Sequence, residues 1–497
     1  MYPCTAVIDI GSNSARLVIY QKSSKYGFHL ICERKSKVRI GEGAYEKDGY
    51  LQDIGIHRAY LALKEFIATT HYYPIDKILC VATSALRDAP NGTKFVTWIK
   101  KELDLDIQII DGNKEALFGA IAANNLLPIK DGITIDIGGG SSDLALLKDS
   151  KVIQTYSLNI GTVRLKELFF DKDRPIKEAR SFIKEALKKL PTEFKSHQAI
   201  GIGGTARTLS KAIIKVESYP FGNIHAFAYK VADHMEYFQS ISDAKLNLLK
   251  YLHIPKGRFD TIREGTLIWE EILCQIGATK VMTSGVGVRE GVFLHDFLKD
   301  DELQFPTNIN PSIQSILDRF ETHHVDIPKR KENSTKLFKL FLENKKIENK
   351  YLKELLYATE LSTSGYRFNI YKSYEHTFYV AIQEFNYAVT HEELVLTAMI
   401  LRLGGKNLND KEIYKKYRRL LPKKEALEFL SFIYSVTNTL YDQTALKDFD
   451  FTFEKNKLTI IAEGSLYLVK ETLKDIERPQ GVKLKIIDTQ TVPSYNF

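Results

Sequence analysis

One grammar is written twice in this chain. Residues 6–20 read AVIDIGSNSARLVIY and residues 133–147 read ITIDIGGGSSDLALL. Each begins as an apolar strand, ends in Asp-Ile-Gly, passes a small polar turn and resumes as a second strand. Glycines in such a turn permit positive φ and let a ligand approach the backbone, so successive N–H groups can point at an oxyanion. The aspartate sets a carboxylate beside them, where a divalent cation can bridge it to phosphate. The candidates are Asp9, Gly11, Ser12, Asn13 and Ser14 in the first turn. In the second they are Asp136, Gly138, Gly139, Gly140, Ser141 and Asp143. Either turn alone reads as an ordinary hairpin. A pair opening each half of a duplicated unit predicts two related lobes with a cleft between them.

The surrounding periodicity agrees. After the first hairpin, Ile56, Tyr60, Leu63 and Ile67 share a helical face. KILCVATS reads as a buried strand, NGTKFVTWIKKEL as a capped helix, DIQII as a strand and GNKEALFGAIAANNLL as a helix. This alternation predicts a sheet covered by helices. The second unit restarts the pattern with KVIQTYSL, helices near 161–190, QAIGIGGTARTLSKAI and KVMTSGVGVREGVFLHDFL. KDDELQFPTNINPS, residues 299–312, is charged and then rich in Pro and Asn, which predicts a linker. Residues 312 to about 435 read as helical, and the stretch from about 446 reads as strand, helix and strand. The 497 residues exceed what one core supports. The expected division is two lobes at 1–124 and 125–300, a helical domain at 301–440 and a small α+β domain at 441–497.

The composition is globular, with 44% hydrophobic and 27% charged residues, and the net charge of +8 suits an anionic partner. Four cysteines lie far apart without a CxxC, which argues against metal spacing and a secreted disulfide framework. The chain enters a strand at once, without a basic and then apolar leader. No apolar run reaches the roughly 18–20 residues of a membrane span. The expectation is a soluble, cytoplasmic protein with no membrane partner and no specific nucleic-acid partner.

GIGGTA carries Gly201, Gly203 and Ala206 in a G-x-G-x-x-A spacing between a strand and a helix. It lies deep in the chain, and no acidic residue closes a second strand about 20 residues on. A phosphate or nucleotide contact from Gly203 and Gly204 fits better than a nicotinamide or flavin site.

DIGSNS, DIGGGSSD and GIGGTA resemble the phosphate-1, phosphate-2 and adenosine loops of the actin, sugar-kinase and heat-shock chaperone superfamily. VATSALRDAPNG, IIDGNKEALFGAIA, LNIGTVRL and SGVGVREG narrow this. The chain resembles the exopolyphosphatase and guanosine pentaphosphate phosphohydrolase (Ppx/GppA) family over residues 5–297, and more weakly to its end. The resemblance implies an α/β protein with two tandem actin-like (ribonuclease H-like) lobes, an all-α HD-like domain and a small C-terminal α/β domain. It also implies hydrolysis of a terminal phosphoanhydride with Mg²⁺ or another divalent cation, and a homodimer formed through the accessory domains. The substrate would be inorganic polyphosphate, guanosine pentaphosphate converted to tetraphosphate, or both.

The same resemblance assigns roles. Glu115 falls on the family's catalytic base, Asp136, Asp143 and Asp9 on the metal side, and Arg87 and Arg289 on phosphate-binding arginines. An arginine's planar fork suits phosphate oxygens. Arg16 and Arg39 are further candidates. One position departs from the pattern: the usual GGGSTE reads GGGSSD, so Asp143 is one methylene shorter than the family's Glu. In the helical domain, Ser362 and Thr363 stand where related chains carry the His and acid of an HD site, which predicts no metal there. His376, the His295-Asp296 dipeptide, and His323, His324 and Asp326 all read as packed or solvated residues. KEIYKKYRRLLPKK, residues 411–424, carries seven Lys/Arg. It reads as a solvated face or as a basic track for a long polyanion, and KRKEN (329–333) would extend it. Two other classes compete: a superfamily kinase, against which GNKEAL argues, and a sensor that binds the guanosine alarmone without turnover.

Overall fold

The computed structural model describes residues 3–44, 47–320, 326–404, 410–445 and 448–489. The chain divides into two compact units, 1–311 and 312–497.

The first unit holds two sheets. In the first, β1 (Cys4–Ile10), β2 (Ala15–Lys22) and β3 (Phe28–Ser36) form an antiparallel meander. Helices α1 (Asp53–Thr70), α2 (Ser84–Arg87) and α3 (Gly92–Leu103) alternate with β4 (Ile75–Ala82) and β5 (Gln108–Ile109), which continue the sheet parallel to β1. The strand order is β3-β2-β1-β4-β5. Helix α4 (Gly112–Leu126) then leads to the second sheet.

That sheet repeats the plan. β6 (Gly132–Ile137), β7 (Ser142–Lys148) and β8 (Lys151–Leu158) form a second antiparallel meander. Helices α5 (Thr162–Leu168) and α6 (Ile176–Leu187) precede β9 (Gln198–Ile202), which runs parallel to β6 and feeds α7 (Gly203–Val216). β10 (Ala228–Lys230), α8 (Met235–Ser242), α9 (Ile262–Ile276), β11 (Lys280–Thr283) and α10 (Val288–Phe297) complete the lobe. The order is β10-β11-β9-β6-β7-β8.

β1 is mostly apolar up to Asp9 near its end and buried on both faces, as a central strand covered by helices must be. Each lobe has its own core. In the first, Ile8, Leu17 and Ile19 meet Leu63 and Phe66 of α1; in the second, Ile133 and Ile135 meet Ile268 and Trp269 of α9. Of the residues expected on the buried face of α1, Leu63 is in the core, and Ile56, Tyr60 and Ile67 pack half-buried against it. Helices α4 and α10 cross closely: a Cβ on Gly291 would lie 1.8 Å from the carbonyl oxygen of Phe118. Only glycine admits that approach, and it brings the N-terminal turns of two helices to one cleft.

The second unit begins within α11 (Pro311–Phe320). It continues through α12 (Ile327–Glu343), α13 (Leu352–Leu361), α14 (Ser373–Glu384), α15 (His391–Leu403), α16 (Lys411–Tyr417) and α17 (Lys424–Gln443). β12 (Asp450–Glu454), β13 (Lys457–Ala462), α18 (Tyr467–Lys474) and β14 (Lys483–Asp488) then form a three-stranded sheet. No helix among the described residues is long and apolar enough to cross a membrane.

Several sequence expectations need correction. FDFTFEKNKLTIIAE, read as one strand, is a hairpin turned at Lys455 and Asn456, both in the left-handed region at φ 47° and 58°. The turn lacks the glycine that usually marks it. Asn91 does not cap α3 with its side chain; its amide brackets the backbone of Leu51, at 2.9 Å and 3.0 Å. The 329–333 run is not a free basic track. Arg330 is buried, Lys329 pairs with Asp448 and Glu332, and Lys331 pairs with Glu360. Asp296 is not bare surface but an ion-pair partner of Lys77 at 2.6 Å.

In 411–424 Tyr417 and Leu420 are buried while the lysines are exposed, as the amphipathic reading has it. His376 lies half-buried beside the Phe368 ring. Asp326 caps α12, and His323 and His324 lie outside the described residues.

Candidate active site

The two glycine turns close in the same way. Gly11 N–H donates to Ser14 O at 3.1 Å, and Gly138 N–H donates to Ser141 O at 2.9 Å. Their other carbonyls are taken from behind. Ser12 O and Asn13 O accept from Gly41 and Arg39 N–H; Gly138 O and Gly139 O accept from Thr162 and Val163 N–H at the start of α5. The N–H groups of Ser12, Asn13 and Gly139 have no acceptor among the described residues. The turns face each other, since a Cβ on Gly139 would sit 3.1 Å from that of Ser12. Unpaired amides from two opposed turns make a concavity for an anion.

Between them lies a cavity of 220 Å³. It gathers Asp9, Ser12, Asn13, Ser14, Glu115, Asp136, Gly138, Gly139, Gly203, Gly204 and Arg289 from eleven distinct sequence positions, and Arg16 with them. Several expected residues do not line it. Gly140, Ser141 and Asp143 are buried beneath the second turn. The Ser141 hydroxyl donates to Asp143 Oδ2 at 3.0 Å and is not aimed at the cavity. Asp143 Oδ1 accepts from Ser157 at 2.5 Å. Arg87 reaches the cavity only through Glu115, its Nη1 lying 3.6 Å from Oε2. Arg39 lines a neighbouring chamber and pairs with Glu42 and Asp260.

Glu115 stands at the first turn of α4, whose N-cap Asp111 accepts from Lys114 N–H. Its Oε2 is buried without a hydrogen bond. Burial lifts its pKa well above the usual carboxylate range; the charges of Asp143, Asp136 and Asp9 add to this and Arg87 opposes it. Asp136 is pushed up to about 6, by burial first and by Asp9, against Arg207 and Arg289. Asp143 is pushed up to about 7, by burial first and by Asp136, against its bonds to Ser157 and Ser141. Asp9 is raised by burial, against Arg289 and Arg16. Gly203, at φ +78°, makes the packing possible, since a Cβ there would lie 2.0 Å from Asp136 Oδ1. Arg289 is held in place from behind. Glu290 accepts from Tyr20 and from Gly287 N–H, and Arg289 Nη1 donates to Glu33 at 3.0 Å. Burial works against the Arg289 charge, but Glu290, Tyr20, Asp9 and Glu33 outweigh it and hold the guanidinium protonated.

These carboxylates fit a divalent cation of one kind. They are largely desolvated and repel one another, which favours a cation among them. Yet among the described residues no three such side chains converge to hold a metal alone. An ion here would take one or two carboxylates and complete its shell with water and phosphate oxygens, which is the habit of Mg²⁺. Asp9 and Asp136 line the cavity and are the residues placed to hold it.

A sequence model of the Ppx/GppA phosphatase family matches residues 18–300. The chain belongs to the Ppx/GppA phosphatase family. It is 32% identical over 302 residues to the bifunctional 3-dehydroquinate synthase/phosphatase of Fusobacterium nucleatum, a match covering 56% of this chain and 44% of that protein. The chain thus matches less than half the length of that relative. It is 27% identical over 312 residues to exopolyphosphatase 2 of Mycobacterium tuberculosis, covering 58% of this chain and 97% of that one. The crystal structure of the Aquifex aeolicus Ppx/GppA family member superposes with a TM-score of 0.53 at 28% identity, over 61% of this chain and 99% of that one.

Within this Ppx/GppA cleft, two arginines escaped the sequence reading. Arg207, on the first turns of α7, is half-buried and donates from Nε to Ser284 O at 2.9 Å. The GIGGTA strand-to-helix turn was the signal for it, because a residue one turn in faces the same way as the turn. Arg258 comes from the short 3₁₀ turn Lys256–Arg258 and packs its guanidinium 3.0 Å from where a Gly204 Cβ would be. PKGRFD carries no motif for it.

Proposed function

We propose that this cleft hydrolyses the terminal phosphoanhydride of a linear polyphosphate, inorganic or carried on guanosine. The observation that supports this most is the Glu115 carboxylate. Its Oε2 is buried without a hydrogen-bond partner, and it borders the cavity between two turns with unpaired amides. A general base needs a proton affinity near its working pH, and burial among other carboxylates supplies that.

In this reading the terminal phosphate lies between the turns, with Ser12, Asn13 and Gly139 N–H on its oxygens. Arg289 and Arg207 balance its charge. A water aligned opposite the bridging oxygen gives its proton to Glu115 as its oxygen bonds to phosphorus. The bridging oxygen leaves with the bond's electron pair on the shortened chain. Phosphoryl transfer of this kind depends almost wholly on positioning and charge stabilisation. Mg²⁺ held by Asp9 and Asp136 would neutralise phosphate charge and draw down the raised pKa values around it. Arg87 does not line the cavity, and in this reading its role is to orient the Glu115 carboxylate 3.6 Å away.

Phosphate released from long-chain polyphosphate and from guanosine pentaphosphate, with Mg²⁺, is the test. Wild type should release phosphate from at least one. Glu115→Gln should lose about 10²-fold or more. A Glu115→Gln variant as active as wild type would remove Glu115 from the mechanism.

A further inference from the structure

The cavity for the terminal phosphate opens in two directions, and the two differ in charge. On one side, past Ser12, Asn13, Ser84 and Thr261, lies a chamber of 360 Å³. Five carboxylates line it against two cations, Arg39 and Lys166. Both cations are already matched: Arg39 pairs with Glu42 and Asp260, and Lys166 with Asp171 at 2.7 Å. A phosphate chain entering there would meet five carboxylates, of which Glu42 also pairs with Arg58 and Asp88 with Arg87 and Arg164, and no uncommitted cation.

On the other side the lining is Lys35, at the end of the edge strand β3. Lys35 also lines a second hollow, of 510 Å³, between the end of β3 and α1, together with Arg34 and Lys37, with Arg58, which is paired with Glu42, and with one carboxylate, Glu65. One lysine thus joins the cavity to a basic hollow around the sheet edge. Lys35 stands directly across from Arg16 in the β2–β3 register, and like charges opposite each other on a sheet are destabilising. The second lobe adds Arg258, and Lys37 Nζ lies 3.7 Å from where a Gly257 Cβ would be. Among the described residues Arg34, Lys35, Lys37 and Arg258 form no ion pair, while Arg16 and Arg289 share Glu33. Burial, then Arg16, Arg258 and Lys37, lowers the Lys35 pKa, as uncompensated cations crowded together must. Arg258 Nε is buried with no hydrogen-bond partner.

We propose that the phosphates behind the terminal one leave the cavity over Lys35, Arg258 and Lys37 toward the basic hollow beside α1, and not through the acidic chamber. The ligand class is a linear polyphosphate chain long enough to reach past Lys35. This rests on the hydrolase reading above.

Inorganic polyphosphate of graded length, from tripolyphosphate upward, separates the two ideas in the full chain. Lys37→Glu and Arg34→Glu, neither of which lines the terminal cavity, should each raise KM for long chains about fivefold to tenfold at low salt. For the shortest chain that wild type cleaves, KM should stay within about twofold, and kcat should hold on both, which also reports an intact fold. The length-dependent effect should fade toward 1 M salt, where the screening length falls to about 3 Å. Asp171→Lys, in the acidic chamber, should leave long-chain KM unchanged. The route is wrong if wild type is active and KM for long and short chains moves together or not at all. It is also wrong if Asp171→Lys lowers long-chain KM. A wild type inert on every length withdraws the hydrolase reading, and the route with it.

Discussion

Two regions of this molecule treat charge withdrawn from water in opposite ways. In the second unit Arg330, its side chain 4% exposed, is neutralised where it lies. Its Nη1 donates to Asn438 at 2.7 Å and to Ser362 at 3.3 Å, its Nη2 donates to Asp442 at 2.8 Å, and the guanidinium lies over the Tyr441 ring. In the first unit Asp9, Glu115 and Asp136 lie half-buried at the cavity and Asp143 buried beneath it, and three of the four count another's charge among the causes of their raised pKa, with arginines opposing only in part. The Arg330 cluster neutralises its charge without a ligand, with only Nε left unpartnered. The cleft is organised to be completed by one, and that asymmetry separates a site from a scaffold. Ser362 belongs to the comparison. The sequence resemblance would put a metal-binding histidine at this position, and Ser362 accepts a hydrogen bond from a fixed organic cation there.

The largest effect should come from breaking the satisfied cluster. Arg330→Ala leaves Asp442 and Asn438 without their cation and should cost about 3 kcal/mol of stability in the second unit. Urea unfolding followed by tryptophan-independent far-UV circular dichroism would report it; an unchanged midpoint would mean the cluster is ornamental. Glu115→Gln is the mirror experiment. It should remove about 10²-fold or more of the activity, a barrier increase of about 2.7 kcal/mol. It should not lower the melting temperature, because the lost charge is one its neighbours repel. A Glu115→Gln protein that melts well below wild type would make Glu115 a structural residue.

How legible each region was follows from the same contrast. The glycine turns were readable because backbone amides that receive an anion demand small residues at fixed spacing, and Gly11, Ser12, Gly138 and Gly139 carry that demand in their identities. Glu115 alone looks like any acid in a first helical turn; only the surrounding motifs singled it out. Arg258 and Arg207 were missed because their work depends on where a 3₁₀ turn and a helix point, not on their neighbours in sequence. Asp143 and Ser141 were read as cavity residues since they follow the second turn directly. The strand pleat instead sends them inward to bond each other and Ser157. Arg330 looked like surface because it sits in KRKEN, yet its aliphatic stem and fork are buried among Ser362, Asn438 and Asp442. Charge runs report composition; burial of one member is decided by tertiary packing.

On the proposed reading, the cleft also makes stability depend on pH and on Mg²⁺ in a definite sense. Asp136 and Asp143 have folded pKa values of about 6 and about 7, raised above the ordinary 3.8. The folded form therefore holds protons that the unfolded chain releases. Their contribution is fully present below about pH 4 and is lost as pH rises through 6 and then 7. Mg²⁺ binds only the ionised carboxylates, so its stabilising effect should grow over that interval. Melting temperatures with and without Mg²⁺ at pH 5, 6.5 and 8 should diverge upward, and Asp136→Asn should flatten the difference. A metal effect equal at pH 5 and 8 would place the ion elsewhere.

The smallest expected effect is the most specific. Glu115 owes its raised pKa first to burial and next to Asp143, so removing the Asp143 charge tests the coupling without touching the base. Asp143→Asn keeps the size of the side chain and one acceptor for the Ser157 hydroxyl. With the neighbouring negative charge gone, ionised Glu115 becomes easier to form. The rising limb of kcat/KM should move to lower pH by up to about one unit, roughly 1.4 kcal/mol of coupling. The plateau should fall only modestly, because Asp143 does not line the cavity. Two other results are distinguishable. A limb that stays in place while the plateau collapses assigns Asp143 to the metal directly, and a limb that moves upward would mean that Asp143 is protonated in the working enzyme and donates to Glu115. Ser157→Ala sharpens the reading. It removes a hydrogen bond that favours the Asp143 carboxylate, so it raises the proton affinity of Asp143. A neutral Asp143 no longer repels Glu115, so the limb should shift in the same direction as in Asp143→Asn, by less.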